Sequence, residues 1–207
     1  MRVSSNARSC CAVILAGGRN QRMAGRHKAF IEVAGRAVLD RLAQVLNPYF
    51  SEILLVTRRP ELFTGRPFRV VADIFQERTS LTGIHAGLAQ AEAQHALVVP
   101  CDAPFLQPAL VQLLLDSVTP HSDVVIPVIG GYYEPLCAVY AKTCLPAITA
   151  NLTRGAYKIT GFFSQVSVKT LSEQQIRQAD PGLYSFLNAN TPEEFERLSA
   201  ADPAKGQ

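Results

Sequence analysis

Between Leu15 and Lys28 the chain reads Leu-Ala-Gly-Gly-Arg-Asn-Gln-Arg-Met-Ala-Gly-Arg-His-Lys, with three glycines, four cationic side chains and no acid. Glycine lets backbone come close to a ligand and aim successive N–H groups at it, which favours a polyanion. Arg19, Arg22, Arg26 and Lys28 add mobile charge able to neutralise phosphate. The plainer alternative is a glycine turn with solvated arginines. Crowding all four cations into ten residues weighs against it. Lys28, mobile and thirteen residues past Leu15, is a candidate phosphate contact, the alternative being a solvated surface lysine. Two carboxylates complete the set. Asp102 follows the apolar run Ala96-Leu-Val-Val99 and precedes Pro104. Mg²⁺ takes one or two carboxylates plus substrate oxygens and waters, which makes Asp102 a candidate metal ligand. Its alternative is a cap for a helix opening at Pro108, for which it lies about five residues early. Asp73 ends a second apolar run, and its alternative is a turn aspartate bonding its own backbone.

Several familiar chemistries are excluded by spacing. No two glycines stand as G-x-G, so the dinucleotide fingerprint is impossible, and no G-x-x-x-x-G-K-[ST] phosphate loop exists. G-x-S-x-G and H-E-x-x-H are also missing, which demotes a hydrolase elbow and a zinc protease. Cys10, Cys11, Cys101, Cys137 and Cys144 contain no C-x-x-C, and an odd count of five is no disulfide framework. His27, His85, His95 and His121 are scattered, and only His27 falls in the loop.

The elements that must hold these residues read as strands alternating with helices. Cys11–Leu15, Ile53–Val56, Val70–Ala72, Ala96–Val99, Val124–Ile126 and Leu136–Tyr140 are predicted strands, with Val166–Val168 a further possibility. Short continuous apolar runs suit strands buried on both faces of a parallel sheet. Helices are predicted over Ala37–Leu46, Gly83–Ala93, Pro108–Ser117 and Lys142–Leu152. Thr191-Pro-Glu-Glu opens a last one, carrying Phe195 and Leu198 inward. Tyr157–Phe163 is ambiguous. The pairs Tyr132-Tyr133 and Phe162-Phe163 read as core aromatics. The alternation predicts a three-layer α/β/α fold with a Rossmann-like, mostly parallel sheet, in one domain over residues 1–207 with frayed ends at 1–9 and 200–207. In such sheets ligands bind beyond the carboxyl ends of the strands, where Gly17-Gly18, Asp73 and Asp102 stand.

Charged residues make up 18% of the chain and net charge is +3, so neither disorder nor nucleic-acid binding is the default. Residues 1–41 hold eight Arg and Lys against Glu32 and Asp40, so cationic character is local. No apolar run reaches the ~18–20 residues of a membrane span, and the run Cys10–Ala16 is too short for a secretory core. A reduced, soluble, cytoplasmic protein is expected.

Leu15-Ala-Gly-Gly-x-x-x-Arg-Met-x-x-x-x-Lys28 resembles the signature loop of nucleotidyltransferases acting on nucleoside triphosphates. With Pro100-Cys-Asp-Ala-Pro-Phe-Leu106, Glu134-Pro-Leu-Cys-Ala-Val-Tyr140 and Phe186-Leu-Asn-Ala-Asn-Thr-Pro-Glu-Glu194, it is similar to the molybdenum cofactor guanylyltransferase family over residues 11–198. The chain departs at Ala24, His27 and Thr57, and Thr79-Ser-Leu-Thr-Gly83 stands where the family carries Gly-Pro-Leu-Ala-Gly. The resemblance implies Mg²⁺-dependent transfer of GMP from GTP to molybdenum-molybdopterin, with pyrophosphate released. It implies nucleotide contacts at Leu15, Ala16, Gly17, Gly18, Lys28, Asp73 and Asp102, with Arg22, Lys28 and Asp102 catalytic and Asp102 on the metal. Asn188 and Asn190 would bind the pterin substrate or magnesium, or equally close a turn. Glu134 is expected to partner a cation. Possible protein partners are molybdoenzyme apoproteins or other cofactor-biosynthesis proteins. Alternatives are a cytidylyl or a sugar- or polyol-phosphate transferase, and a cofactor-binding module without turnover.

Overall fold

Cys10–Leu15 (β1) is apolar and buried at every position, and its side chains divide between two cores. The computed structural model describes residues 10–17, 28–188 and Glu194, and the backbone alone at 22, 23, 26 and 27. Gly18, the Arg22 side chain, Asn190, the expected frayed ends and the inward residues of the last predicted helix lie outside the described residues.

In chain order β1 is followed by β2 (Arg22–Met23) and β3 (Arg26–His27), then β4 (Glu32–Val33), β5 (Arg36–Ala37) and α1 (Val38–Leu46). Next come β6 (Ile53–Val56), β7 (Arg69–Val71), α2 (Ser80–Gln90), β8 (His95–Pro100) and α3 (Pro108–Asp116). The second half holds β9 (Val124–Ile129), β10 (Tyr132–Tyr133), β11 (Ala138–Ala141), α4 (Leu145–Thr153), β12 (Val168–Leu171) and α5 (Glu173–Ala179).

The main sheet runs β7-β6-β1-β8-β11-β9, with β10 and β12 both on β9. β7, β6, β1 and β8 are parallel, β11 is antiparallel to both neighbours, and β12 is parallel to β9. This is the mostly parallel α/β sheet that the alternation predicts. Cys10, Ala12 and Ile14 face a core that takes Leu39 and Leu42 of α1, Leu110 and Leu114 of α3, and Ile176 of α5. Cys11, Val13 and Leu15 face the other, with Leu81, Ile84 and Leu88 of α2 and Ile148 and Leu152 of α4. Each such fully buried side chain contributes roughly 1.5–3 kcal/mol, so a strand buried on both faces is held twice.

Several boundaries shift. α2 starts at Ser80 rather than Gly83, because Thr79 and Thr82 form a capping box: the Thr82 amide donates to Thr79 Oγ1 and the Thr79 amide to Thr82 Oγ1. β9 continues through Pro127 to Ile129. β12 lies two residues later than expected, and the ambiguous aromatic stretch is a 3-10 helix, Ile159–Gln165. α5 is absent from the sequence reading, although Ser172 and Gln175 cap it reciprocally. Tyr132 and Tyr133 are not core: they are 78% and 44% exposed, whereas Phe162 is fully buried. Among the described residues no helix is long and apolar enough to cross a membrane.

Candidate functional site

The chain leaves β1 toward β6 and β7 on one side and returns to β8 on the other, so the strand order reverses beside β1. A crevice forms at such a switch point, beyond the carboxyl ends of the strands. The ends are tied together by backbone. The Ala16 amide donates to Val56 O (2.9 Å), Thr57 to Val71 O (3.0 Å) and Cys101 to Leu15 O (3.1 Å). Leu15, Ala16, Gly17, Asp73 and Asp102 are therefore set along one sheet edge.

A cavity of about 120 Å³ opens there between Leu15, Gly17, Thr57, Asp73, Thr79 and Gly83. Its floor is made by close approach of α2, since a Cβ on Gly83 would lie 3.1 Å from Leu15 Cδ2. A Cβ on Gly17 would meet nothing within 4 Å. Among the described residues, Arg58, Arg59 and Arg78 line the rim and Asp73 is the one carboxylate, so the cavity is cationic. The sequence reading missed Arg58, Arg78 and Thr79. For Arg58 the available signal was its place two residues after a buried strand.

Asp73 is both a cavity residue and a turn aspartate. Its Oδ1 accepts from the Phe75 amide (3.1 Å) and its Oδ2 from Thr82 Oγ1 (2.6 Å). The Arg58 guanidinium stands 3.7 Å from Oδ2 and donates to Phe75 O and Glu77 O. The two readings of Asp73 are thus compatible: the backbone bond fixes the turn, and the turn aims the carboxylate.

Lys28 corrects an expectation. It is 7% exposed in a short 3-10 turn, Lys28–Phe30, and so is buried where the sequence suggests a mobile charge. Ala29 and Val33 sink into the core beneath α1 and pull Lys28 inward. Its Nζ donates to Asp102 Oδ2 at 3.4 Å. Asp102 keeps its side chain about one-fifth exposed (21%). It does not cap the Pro108 helix, whose cap position is Gln107. Arg41 steadies the Asp102 loop from α1: Nε donates to Pro104 O (2.9 Å), and the guanidinium sits 5.1 Å from the Phe105 ring centre.

Glu134 has no cation partner among the described residues. Burial raises its pKa above the usual carboxylate value. Asn188 is exposed at the end of a segment held to the start of α3 by the Gln107 amide, which donates to Ser185 Oγ (2.9 Å). His85 is buried away from the crevice mouth, with Nε2 3.1 Å from Thr149 Oγ1. Burial lowers its pKa, and the Asp73 charge opposes that shift. Among the described residues no three His, Cys, Asp or Glu form a metal-holding group. A divalent ion here would rest on Asp102 together with ligand oxygens.

The fold is that of molybdopterin-guanine dinucleotide biosynthesis protein A from Archaeoglobus fulgidus. The two superpose with a TM-score of 0.81 at 24% identity, covering 95% of this chain and 99% of that one. Sheet and crevice together define the class: an α/β nucleotidyltransferase fold. The MobA-like NTP transferase domain matches residues 12–170. The molybdenum cofactor guanylyltransferase of Desulfosudis oleivorans is 38% identical over 189 residues, 91% of this chain and 94% of that protein. The probable molybdenum cofactor guanylyltransferase of Natranaerobius thermophilus is 35% identical over 191 residues, 90% and 93% of the two chains. The chain belongs to the MobA-like NTP transferase family.

Proposed function

We propose that this chain transfers GMP from GTP to the phosphate of molybdenum-molybdopterin and releases pyrophosphate. The names of its relatives support the choice of donor and acceptor. The observation that carries the chemistry is the Lys28–Asp102 pair, a cation and a part-exposed carboxylate 3.4 Å apart at the strand ends.

The reaction is an in-line displacement at the α-phosphorus. An acceptor phosphate oxygen forms the new P–O bond. The bond to the oxygen bridging the β-phosphorus breaks, and pyrophosphate leaves with that electron pair. The acceptor oxygen is already ionised, so no general base is needed, and His85 and Glu134 have no proton to move. What remains is positioning and charge neutralisation. Leu15, Ala16 and Gly17 approach base and ribose through main-chain atoms, and Asp73 accepts from a nucleotide hydroxyl. Gly18, Arg22 and Lys28 hold the outer phosphates. Asn188 and Asn190 are the residues proposed to bind the acceptor.

Magnesium fits Asp102, because one part-exposed carboxylate suits an ion that keeps most of its waters and takes further oxygens from its ligand. Held by Asp102, it would supply positive charge to offset that of the phosphates. Asp102 then has two duties: to hold the ion and to keep the Lys28 ammonium turned toward the phosphates. Product would pass to molybdoenzyme apoproteins or to other cofactor-biosynthesis proteins.

The test is to offer GTP, CTP, ATP and UTP in turn, with magnesium and molybdenum-molybdopterin, and to measure pyrophosphate. Release with GTP alone is expected. Release with CTP in place of GTP makes the chain a cytidylyl enzyme, and release with none makes it a binding module.

A further inference from the structure

Of the exposed large hydrophobic residues among those described, two are neighbours, Tyr132 and Tyr133. The sheet register says where they stand. Val139 of β11 pairs with Leu97 of β8 and with Val125 of β9. Counting forward along both parallel strands, Pro100 is level with Val128, and Cys101 with Ile129. Those two β9 residues pair with Tyr133 and Tyr132. The Ala141 amide donates to Asp123 O and the Glu134 amide to Pro127 O. Carbonyls four residues apart on a strand face the same edge, so β10 lies on the edge of β9 that looks toward β8. Tyr132 and Tyr133 therefore continue the β11 lane past its end, about one strand spacing (~5 Å) from the lane that leads into Asp102.

The hairpin is tied down at its turn and at Tyr133. Gly130 and Gly131 take φ of 57° and 83°, conformations that favour glycine, and make a tight turn. The Gly130 amide donates to Glu173 Oε2 at the start of α5 (2.9 Å). Tyr133 packs edge-on against Phe163, ring centres 5.4 Å apart, and Phe163 packs on buried Phe162. Successive residues of a strand face opposite ways. With Tyr133 held against Phe163, Tyr132 is presented toward the α3 and α5 side, bare and anchored.

The donor cavity lies on the β6 and β7 side of β1. Asp102, two residues past β8, stands beyond it, and the tyrosine hairpin lies further along the same edge. An in-line displacement brings its acceptor in from the side away from the leaving pyrophosphate. We propose that Tyr132 is a stacking platform for the fused heteroaromatic ring of the acceptor. This rests on the reading of the reaction given above.

The experiment compares Tyr132→Ala and Tyr132→Phe with the unaltered full chain. Molybdopterin binding is followed by its own fluorescence without GTP, and transfer is followed with GTP and magnesium. Stacking on an aromatic ring supports an expected rise of about tenfold or more in the acceptor Kd and KM for Tyr132→Ala. The KM for GTP and the melting temperature should hold, and Tyr132→Phe should behave as the unaltered chain. Unchanged acceptor affinity in Tyr132→Ala overturns the platform and leaves the reaction intact. An equal loss in Tyr132→Phe also overturns it, because the hydroxyl rather than the ring would be responsible. Loss of self-association in Tyr132→Ala with unaltered transfer reassigns the ring to a contact between copies and overturns the proposal. An unaltered chain that neither binds molybdopterin nor uses it as acceptor removes the reaction reading and the platform together.

Discussion

At the scale of residues, the Lys28 ammonium and the Asp102 carboxylate come from positions 74 apart in sequence and meet at 3.4 Å. The side chains of Lys28 and Asp102 keep 8% and 21% of their surface exposed, and under the proposed reaction each would exchange its partner for phosphate or metal. Asp102→Asn keeps the shape and removes the charge. It should lower transfer on the order of 10²–10³-fold while unfolding stays cooperative, read by pyrophosphate release and thermal melting. Lys28→Ala should weaken GTP binding far more than GMP binding in calorimetric titrations. Equal losses for the two would detach the lysine from the outer phosphates. Thr82 is the residue where this chain has a hydroxyl and the family segment an alanine, and that hydroxyl holds Asp73 at 2.6 Å. Thr82→Val should raise the KM for GTP several-fold with little change in kcat. It should also cost about 1–2 kcal/mol of stability from the lost cap and hydrogen bond, and Thr82→Ser should restore both. Of these three residues, Asp102 and Lys28 were legible from type and spacing. Thr82 was not, because a threonine beside an apolar helix face carries no signal until the turn after β7 brings Asp73 to it. The burial of Lys28 was also hidden, since it depends on where Ala29 and Val33 go rather than on Lys28 itself.

At the scale of elements, α2 brings Ser80 and Gly83 to the cavity wall and lies close on β1. A Cβ on Gly87 would fall 2.6 Å from Val13 Cγ1, and Val13 is fully buried beneath it. Gly87→Val should therefore lift α2 from the sheet and cost about 2–3 kcal/mol, measured by urea denaturation. Val13→Ala in the same chain should recover part of that loss. The long apolar strands were legible because burial on both faces leaves uninterrupted runs such as Ile53–Val56. Edges were harder. β12 reads Val-Lys-Thr-Leu with Lys169 and Thr170 exposed, so its apolar signal is weak and its position slipped by two residues. The short helix α5 buries only Ile176, which is too little for periodicity to detect, although its capping pair Ser172 and Gln175 was in plain view. The tyrosines of β10 were misread because paired aromatics usually seek a core, and only the turn at Gly130-Gly131 sends them outward.

At the scale of the whole molecule, titration and topology set different limits. Burial lowers the pKa of His85 and of His95 below the ordinary 6.5, with the Asp73 charge opposing the first, and a backbone hydrogen bond at Ser122 and the Asp123 charge opposing the second. As pH falls through that value, the unfolded chain takes up protons that the folded one refuses, so stability declines on the acid side. Melting temperatures between about pH 8 and about pH 5 should drop below neutrality, and His85→Asn with His95→Asn should flatten the slope. Topology acts during synthesis. β1 is the central strand, paired with β6 on one edge and with β8 on the other. Its second partner, His95–Pro100, is translated long after it. Until then a nascent chain carries an apolar ribbon with one unmatched edge, the kind of surface that chaperones hold and that aggregates when left alone. Polypeptides released short of Pro100 should accumulate as insoluble material, and the two halves of the sheet should fail to assemble when expressed as separate pieces.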